Sequence, residues 1–234
     1  MKVLLVFAHP DDETFTSSGT IIYLTERGYE AKLIMATRGE AGLLGKTAAT
    51  RQTLGEVREQ ELRNAAKITR ISSIYFLDFI DGTLNKIPSK KIKARILPIL
   101  KKEKPDLVIT FEKNGISKHP DHKVISQVAT QSFFEYMKTA KNKTRLYHVC
   151  VPATHIKIHQ DAGFKYEHFG KMEGTPDEEI TTRVDITDIY SKKVRAMKCH
   201  KTQKKDYGNL LKRNELISVK KYEYFKLVAE NDIS

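Results

Sequence analysis

The sequence predicts an α/β fold of Rossmann-like type, a mostly parallel sheet with helices on both faces, forming a single domain over residues 1–234. Three observations predict it. Short apolar, β-branched runs alternate with longer amphipathic segments, the pattern of successive βαβ units. Polar residues able to do chemistry gather directly after several of those runs, where the carboxyl edge of such a sheet opens into ligand-binding loops. At 234 residues with 40% hydrophobic content, the chain can also bury one sizeable core.

The first strand is expected over residues 2–8, because Val3-Leu4-Leu5-Val6-Phe7-Ala8 is an unbroken apolar run. A helix over 18–27 follows, closed by Gly28 in a C-terminal capping role, and leads to a second strand over 30–37. A helix over 54–69 precedes a strand over 74–79. The next helix, 89–103, carries Pro98, where a kink or boundary is expected. A fourth strand covers 107–110, and Pro120 opens a helix to about residue 136, since proline suits a first helical position. A strand over 145–151 and a further one near 181–184 complete the sheet. Residues 152–177 read as an irregular excursion carrying His155, His159 and His168.

Composition narrows the function classes. No stretch approaches the roughly 20 apolar residues of a membrane helix, and the N-terminal run is too short for a secretory signal. Cys150 and Cys199 are the only cysteines, which supports neither a disulfide framework nor a Cys-rich zinc site and points to a reducing, cytoplasmic compartment. The net charge of +12, from 41 basic and 29 acidic residues, raises the reading of a basic nucleic-acid-binding protein. No RNA- or DNA-binding signature accompanies it. Much of the excess lies in a Lys-rich stretch from Lys192 to Lys226, interleaved with Tyr207, Tyr222, Tyr224 and Phe225, which reads as a solvated basic face.

His9-Pro10-Asp11-Asp12-Glu13 sits where the first strand should end. Three adjacent carboxylates repel one another unless a cation or a proton-transfer task compensates. His9 and Asp12, three apart on a turn opening into a helix, point the same way, while Asp11 is offset by about 100 degrees and stands beside a metal rather than on it. His119-Pro120-Asp121-His122 repeats the arrangement after the fourth strand. Two histidines and one carboxylate make a three-ligand set that leaves a position for water, as in catalytic rather than structural zinc. Gly39 to Thr47 looks like a phosphate-binding loop but fails by spacing, because Glu40 stands where the first glycine belongs. His148 reads as a hydrogen-bonded core or edge residue, and the histidines of the excursion as solvated.

Ala8-His9-Pro10-Asp11-Asp12-Glu13 together with His119-Pro120-Asp121-His122 closely resembles the PIG-L/LmbE family of zinc-dependent de-N-acetylases. Thr37-Arg38-Gly39-Glu40-Ala41-Gly42, Arg58-Glu59-Gln60-Glu61, Asp81-Gly82-Thr83-Leu84 and His200-Lys201-Thr202-Gln203 extend the resemblance over roughly residues 1–205. It implies zinc ligands at His9, Asp12 and His122, a general base at Asp11, and an oxyanion-stabilising His119 oriented by Asp121. It also implies substrate contact by Arg58 and a pocket-wall or supporting role for His200; the residues themselves fit equally an i,i+3 ion pair of Arg58 with Glu61 on the helix surface and packing of His200 against a helix. The substrate it implies is an N-acetylated amino sugar or glucosamine conjugate, and some relatives assemble as trimers or hexamers, so a homo-oligomer is open to this chain. A metal-dependent amidase acting on a non-sugar N-acyl or thiol-conjugate substrate is the competing enzyme reading, and His and carboxylate ligands suit other divalent metals as well as zinc. One departure stands out: Ser117-Lys118 precedes His119 where relatives often carry Tyr-Gly.

Overall fold

A computed structural model describes residues 1–161, 173–205, 211 and 221–232. Seven strands form one mixed sheet. β1 (Lys2–Phe7) lies at its centre, with Val3 to Phe7 buried, as a strand covered on both faces requires. β2 (Glu30–Thr37) and β3 (Ile71–Phe79) extend the sheet to one side of β1, all parallel. β4 (Leu107–Phe111) and β5 (Arg145–Cys150) extend it to the other, also parallel. The last strands, β6 (Thr182–Asp185) and β7 (Tyr222–Glu230), complete the order β3-β2-β1-β4-β5-β7-β6. The direction in which the sheet grows therefore reverses between β1 and β4, and a crevice opens at that point of an α/β sheet.

The helices divide into two packed groups. α1 (Asp12–Thr25), α2 (Leu54–Thr69) and α7 (Tyr190–Met197) contact one another. α3 (Ser89–Glu103) packs on α5 (Pro120–Met137), which follows the short kinked turn α4 (Gly115–Lys118). Right-handed crossovers place the two groups on opposite faces, because the chain moves outward from β1 through β3 and then crosses back to β4. α3 runs through Pro98, which lies on its exposed side, so the expected break does not occur. Among the described residues no helix is long and apolar enough to cross a membrane.

Three departures from the sequence reading matter for the site. α1 begins at Asp12, six residues before the expected start, so the acidic cluster is helix rather than loop. Residues 152–177 are not wholly irregular: Ala153–Asp161 forms α6, which carries His155 and His159, while His168 lies outside the described residues. The basic stretch 192–226 is not simply a solvated face. It contributes most of α7 and the start of β7, an internal strand antiparallel both to β5 and to β6.

Candidate active site

The crevice between β1 and β4 brings both motifs together. Asp12 enters from the first turn of α1, and His9 from the turn that follows β1; His119 caps α5 and His122 lies in its first turn, with Pro120 at the helix start as expected. His9 Nδ1 is 3.2 Å from His122 Nε2. Asp12 Oδ1 is 3.2 Å from His122 Nε2, and Asp12 Oδ2 is 3.6 Å from His9 Nδ1. Four ligands at tetrahedral zinc distances lie about 3.3–3.4 Å apart, so this spacing fits a metal of that size.

The outer nitrogens explain why the inner ones face each other. His9 Nε2 lies 2.9 Å from Asp81 Oδ1 and 3.3 Å from Asp121 Oδ2, two acceptors that require the proton to be on that nitrogen. His122 Nδ1 lies 3.0 Å from the Gly115 carbonyl, which likewise can only accept, and the ring stacks on Phe111 with centroids 4.2 Å apart. Neutral rings held in these tautomers aim two lone pairs at one point, which is repulsive unless a cation or a proton occupies it. Burial works against a charged His9, but hydrogen bonds to Asp121 and Asp81 and the charge of Asp12 outweigh it and push the pKa up to about 10. Burial likewise opposes ionisation of Asp12, yet the neighbouring His122 and His9 hold its carboxylate well below the ordinary range.

Asp11 stands beside this cluster as the N-cap of α1, with φ 118. A non-glycine residue in that region is strained, and such strain persists where the surroundings enforce it, often at functional sites. Arg58 is one enforcer: its Nη2 lies 3.2 Å from Asp11 Oδ2 and donates to the Pro10 carbonyl at 2.5 Å, while Nη1 donates to the Gly39 carbonyl at 2.8 Å. Burial raises the Asp11 pKa well above the carboxylate norm, with Arg58 opposing and Asp12 and Glu13 reinforcing the rise. Glu13 Oε2 accepts the Asp11 N–H at 3.3 Å, so it holds the turn through the main chain.

His119 contacts the main chain of Asp121. Burial, then the nearby His9 and His122, bring its pKa down to about 4. Its Nδ1 accepts from the Asp121 main-chain N–H at 3.1 Å, which leaves the proton of the neutral ring on Nε2. The Asp121 carboxylate is engaged elsewhere. Fully buried, it accepts from Gly82 N–H at 2.7 Å and Leu84 N–H at 3.1 Å and faces His9 Nε2.

Two other expected site residues lie within the fold. Arg58 is 3% exposed and its guanidinium braces Asp11, Pro10 and Gly39. Packing at this brace is close, since a Cβ on Gly39 would collide with the Arg58 guanidinium. His200 is 0% exposed, with Nε2 3.2 Å from Thr14 Oγ1, so it packs against α1. Its neighbours Thr202 and Gln203 tie Glu61 of α2 and the Leu43 carbonyl together. Burial, with the Arg58 charge adding to it, lowers the His200 pKa to about 3.

Asp81 is the participant to which the sequence assigned no role. It follows β3 at the same sheet edge, and the loop after β2 fixes it twice: Ala41 N–H donates to its Oδ2 at 3.1 Å, and its own N–H donates to Glu40 Oε1 at 3.0 Å. Its place within Asp81-Gly82 at a strand end was the available signal. Together His9, Asp81 and Asp121 form one close group of potential ligand atoms, and His9, His119 and His122 another.

Known proteins resemble this chain to different depths. The chain is 27% identical over 240 residues to the 1D-myo-inositol 2-acetamido-2-deoxy-alpha-D-glucopyranoside deacetylase 1 of Saccharopolyspora erythraea, covering 87% of this chain and 78% of that protein. The solved N,N'-diacetylchitobiose deacetylase from Pyrococcus horikoshii matches with a TM-score of 0.68 at 23% identity, over 97% of this chain and 83% of that one. GalB, the 4-carboxy-2-hydroxymuconate hydratase of Pseudomonas putida KT2440, matches with a TM-score of 0.66 at 19% identity, over 100% of this chain and 98% of that one. These two structures share the fold and differ in reaction, so the fold alone does not select the chemistry. The family described as PIG-L, GlcNAc-PI de-N-acetylase, matches residues 4–133, which include both motifs and every contact of the His9, Asp12 and His122 cluster, and the chain belongs to that family.

Proposed function

We propose that the protein is a metal-dependent hydrolase that removes the acetyl group from an N-acetylglucosamine-type amino sugar or conjugate, releasing acetate and a free amine. The observation that carries this reading is the facing pair of imidazole lone pairs, closed by Asp12 at 3.2 Å and fixed from behind by Asp81, Asp121 and the Gly115 carbonyl. His9 Nδ1, Asp12 and His122 Nε2 would hold the metal, with zinc the best fit to two nitrogens and one carboxylate. Such an ion supplies Lewis acidity, lowering the pKa of a water from near 16 to about 7 and polarising an amide carbonyl.

The residues around it divide the remaining work. Asp11 takes the proton of the attacking water, and its raised pKa suits a group that must hold that proton and then release it. His119, neutral with its proton on Nε2, donates a hydrogen bond to the developing oxyanion, an effect worth roughly 3 kcal/mol for one well-placed donor. Asp11, having taken that proton, is placed to return it to the departing nitrogen. A cytoplasmic place of action belongs to the same reading, supported by the two free thiols Cys150 and Cys199.

Acetate release across a panel of N-acetylglucosamine conjugates and non-sugar N-acetyl amines, with metal analysis of the same preparation, tests the proposal. Activity on the sugar conjugates should vanish on chelation and return with one equivalent of Zn2+. Release from non-sugar amides alone would overturn the substrate class, and chelator-resistant activity would overturn the metal. A further expectation concerns Gly115, which has φ 70 and whose added Cβ would lie 2.6 Å from His122 Cβ. Gly115→Ala should weaken metal binding about 10–100-fold in a chelator competition, because the carbonyl that sets the His122 tautomer must move.

A further inference from the structure

α1 carries a side-chain pair from elsewhere in the fold against its middle. Within a helix the Gly19 N–H faces the Phe15 carbonyl and the Thr20 N–H the Thr16 carbonyl. Glu223 of β7 accepts from both amides, Gly19 N–H on Oε1 at 2.9 Å and Thr20 N–H on Oε2 at 2.7 Å. Lys193 of α7 donates to the Phe15 carbonyl at 2.9 Å and pairs with Glu223 Oε1 at 2.6 Å. Both charged side chains are buried. Gly19 makes the approach feasible, since a Cβ there would lie 3.0 Å from Glu223 Oε1 and 2.6 Å from Ile186 Cδ1.

The half of α1 before this contact carries the site. It starts at the strained Asp11, contains Asp12, and three consecutive hydroxyls bond back to its carbonyls: Thr16 to Asp12 at 2.7 Å, Ser17 to Glu13 at 3.2 Å and Ser18 to Thr14 at 2.7 Å. Such back-bonding bends helices. A buried ion pair is a poor source of net stability, because desolvation offsets its attraction, whereas its fixed geometry specifies one arrangement.

We propose that Lys193 and Glu223 are positioning residues for the reaction: the pair grips α1 at Phe15, Gly19 and Thr20 and so aims Asp11 and Asp12 at the two histidines. This deepens, and rests on, the metal-dependent reading above. Replacing the pair by apolar residues removes that grip while α1 keeps its own helical bonds, so the fold survives while the first turn shifts.

The test is the double variant K193M/E223L of the full chain, compared with wild type by circular dichroism, Co2+ binding and visible Co2+ spectrum, hydrogen exchange of the metal-free protein, and steady-state kinetics. Expected is a folded protein whose Co2+ affinity falls about 10-fold or more. Its Co2+ bands should shift, kcat should fall at least as far with KM within about twofold, and the amides of residues 11–14 should exchange faster. A folded variant with the wild-type Co2+ spectrum, affinity, kcat and exchange overturns the inference and leaves the pair as packing. Should the double variant fail to fold, E223Q, which keeps the side-chain shape and one acceptor oxygen, is measured in the same four ways: the same losses support the pair's positioning role, and wild-type behaviour overturns it. Wild-type protein that binds no Co2+ would instead overturn the metal-dependent reading, and this inference with it.

Discussion

Replacing Asp11 by Asn is expected to lower kcat by about 10²–10⁴-fold, the usual worth of a positioned proton carrier, while the metal content stays at the wild-type level. Asn is the informative choice because it tolerates left-handed backbone better than most residues, so the φ 118 turn at the head of α1 is kept. The contact with Arg58 weakens but the guanidinium retains the Pro10 and Gly39 carbonyls, which hold the loop. Metal analysis alongside acetate-release kinetics separates the roles. Full activity in the Asn variant would remove Asp11 from the mechanism, and loss of metal would make it part of the binding site instead.

Asp121→Ala has the largest expected effect on stability. The carboxylate accepts two main-chain N–H groups, a part-buried one from Gly82 and a buried one from Leu84, and faces the buried His9 Nε2. A buried donor left unpaired costs about 1–3 kcal/mol and a part-buried one less, so ~3 kcal/mol is expected in the metal-free protein. For a chain of this length each kcal/mol lowers Tm by about 2–4 °C, which makes the drop roughly 10 °C. Metal affinity should fall as well, since His9 loses one of the two acceptors that set its tautomer. A thermal melt indistinguishable from wild type would show that neither N–H depends on this carboxylate.

Much of the site was legible because its chemistry is local in sequence. His9 to Asp12 and His119 to His122 each sit on one turn at a strand end, and the alternation of apolar runs with amphipathic segments places both turns at the same sheet edge. What escaped was long-range. Asp81, from a third loop, reaches His9 only because β3 ends beside β2, and nothing in its own neighbourhood reports that distance. Arg58 was assigned substrate contact by resemblance, and its contacts with Asp11 and the Pro10 and Gly39 carbonyls join segments far apart in the chain. The Asp121 carboxylate likewise turns to Gly82, Leu84 and His9, two of them in other loops. β7 was hidden by its charges, Glu223, Lys226 and Glu230. An internal strand is usually recognised by apolar continuity, whereas Tyr222 to Glu230 mixes buried and half-exposed residues with charges at the sheet's faces.

The position of β7 also sets an order of events during synthesis. The turn that bears His9 and Asp12 leaves the ribosome early, and five parallel strands can pair before β7 exists. Glu223, whose carboxylate meets Thr20 N–H across 203 residues of chain, arrives much later. Until then α1 lacks the grip of Glu223 and Lys193, and under the positioning role proposed for that pair the nascent protein owns its ligands without their final aim. Under the same proposal the site takes its aim only when the late strand joins β5 and β6, which would make the finished site a report that translation has run through the β7 segment.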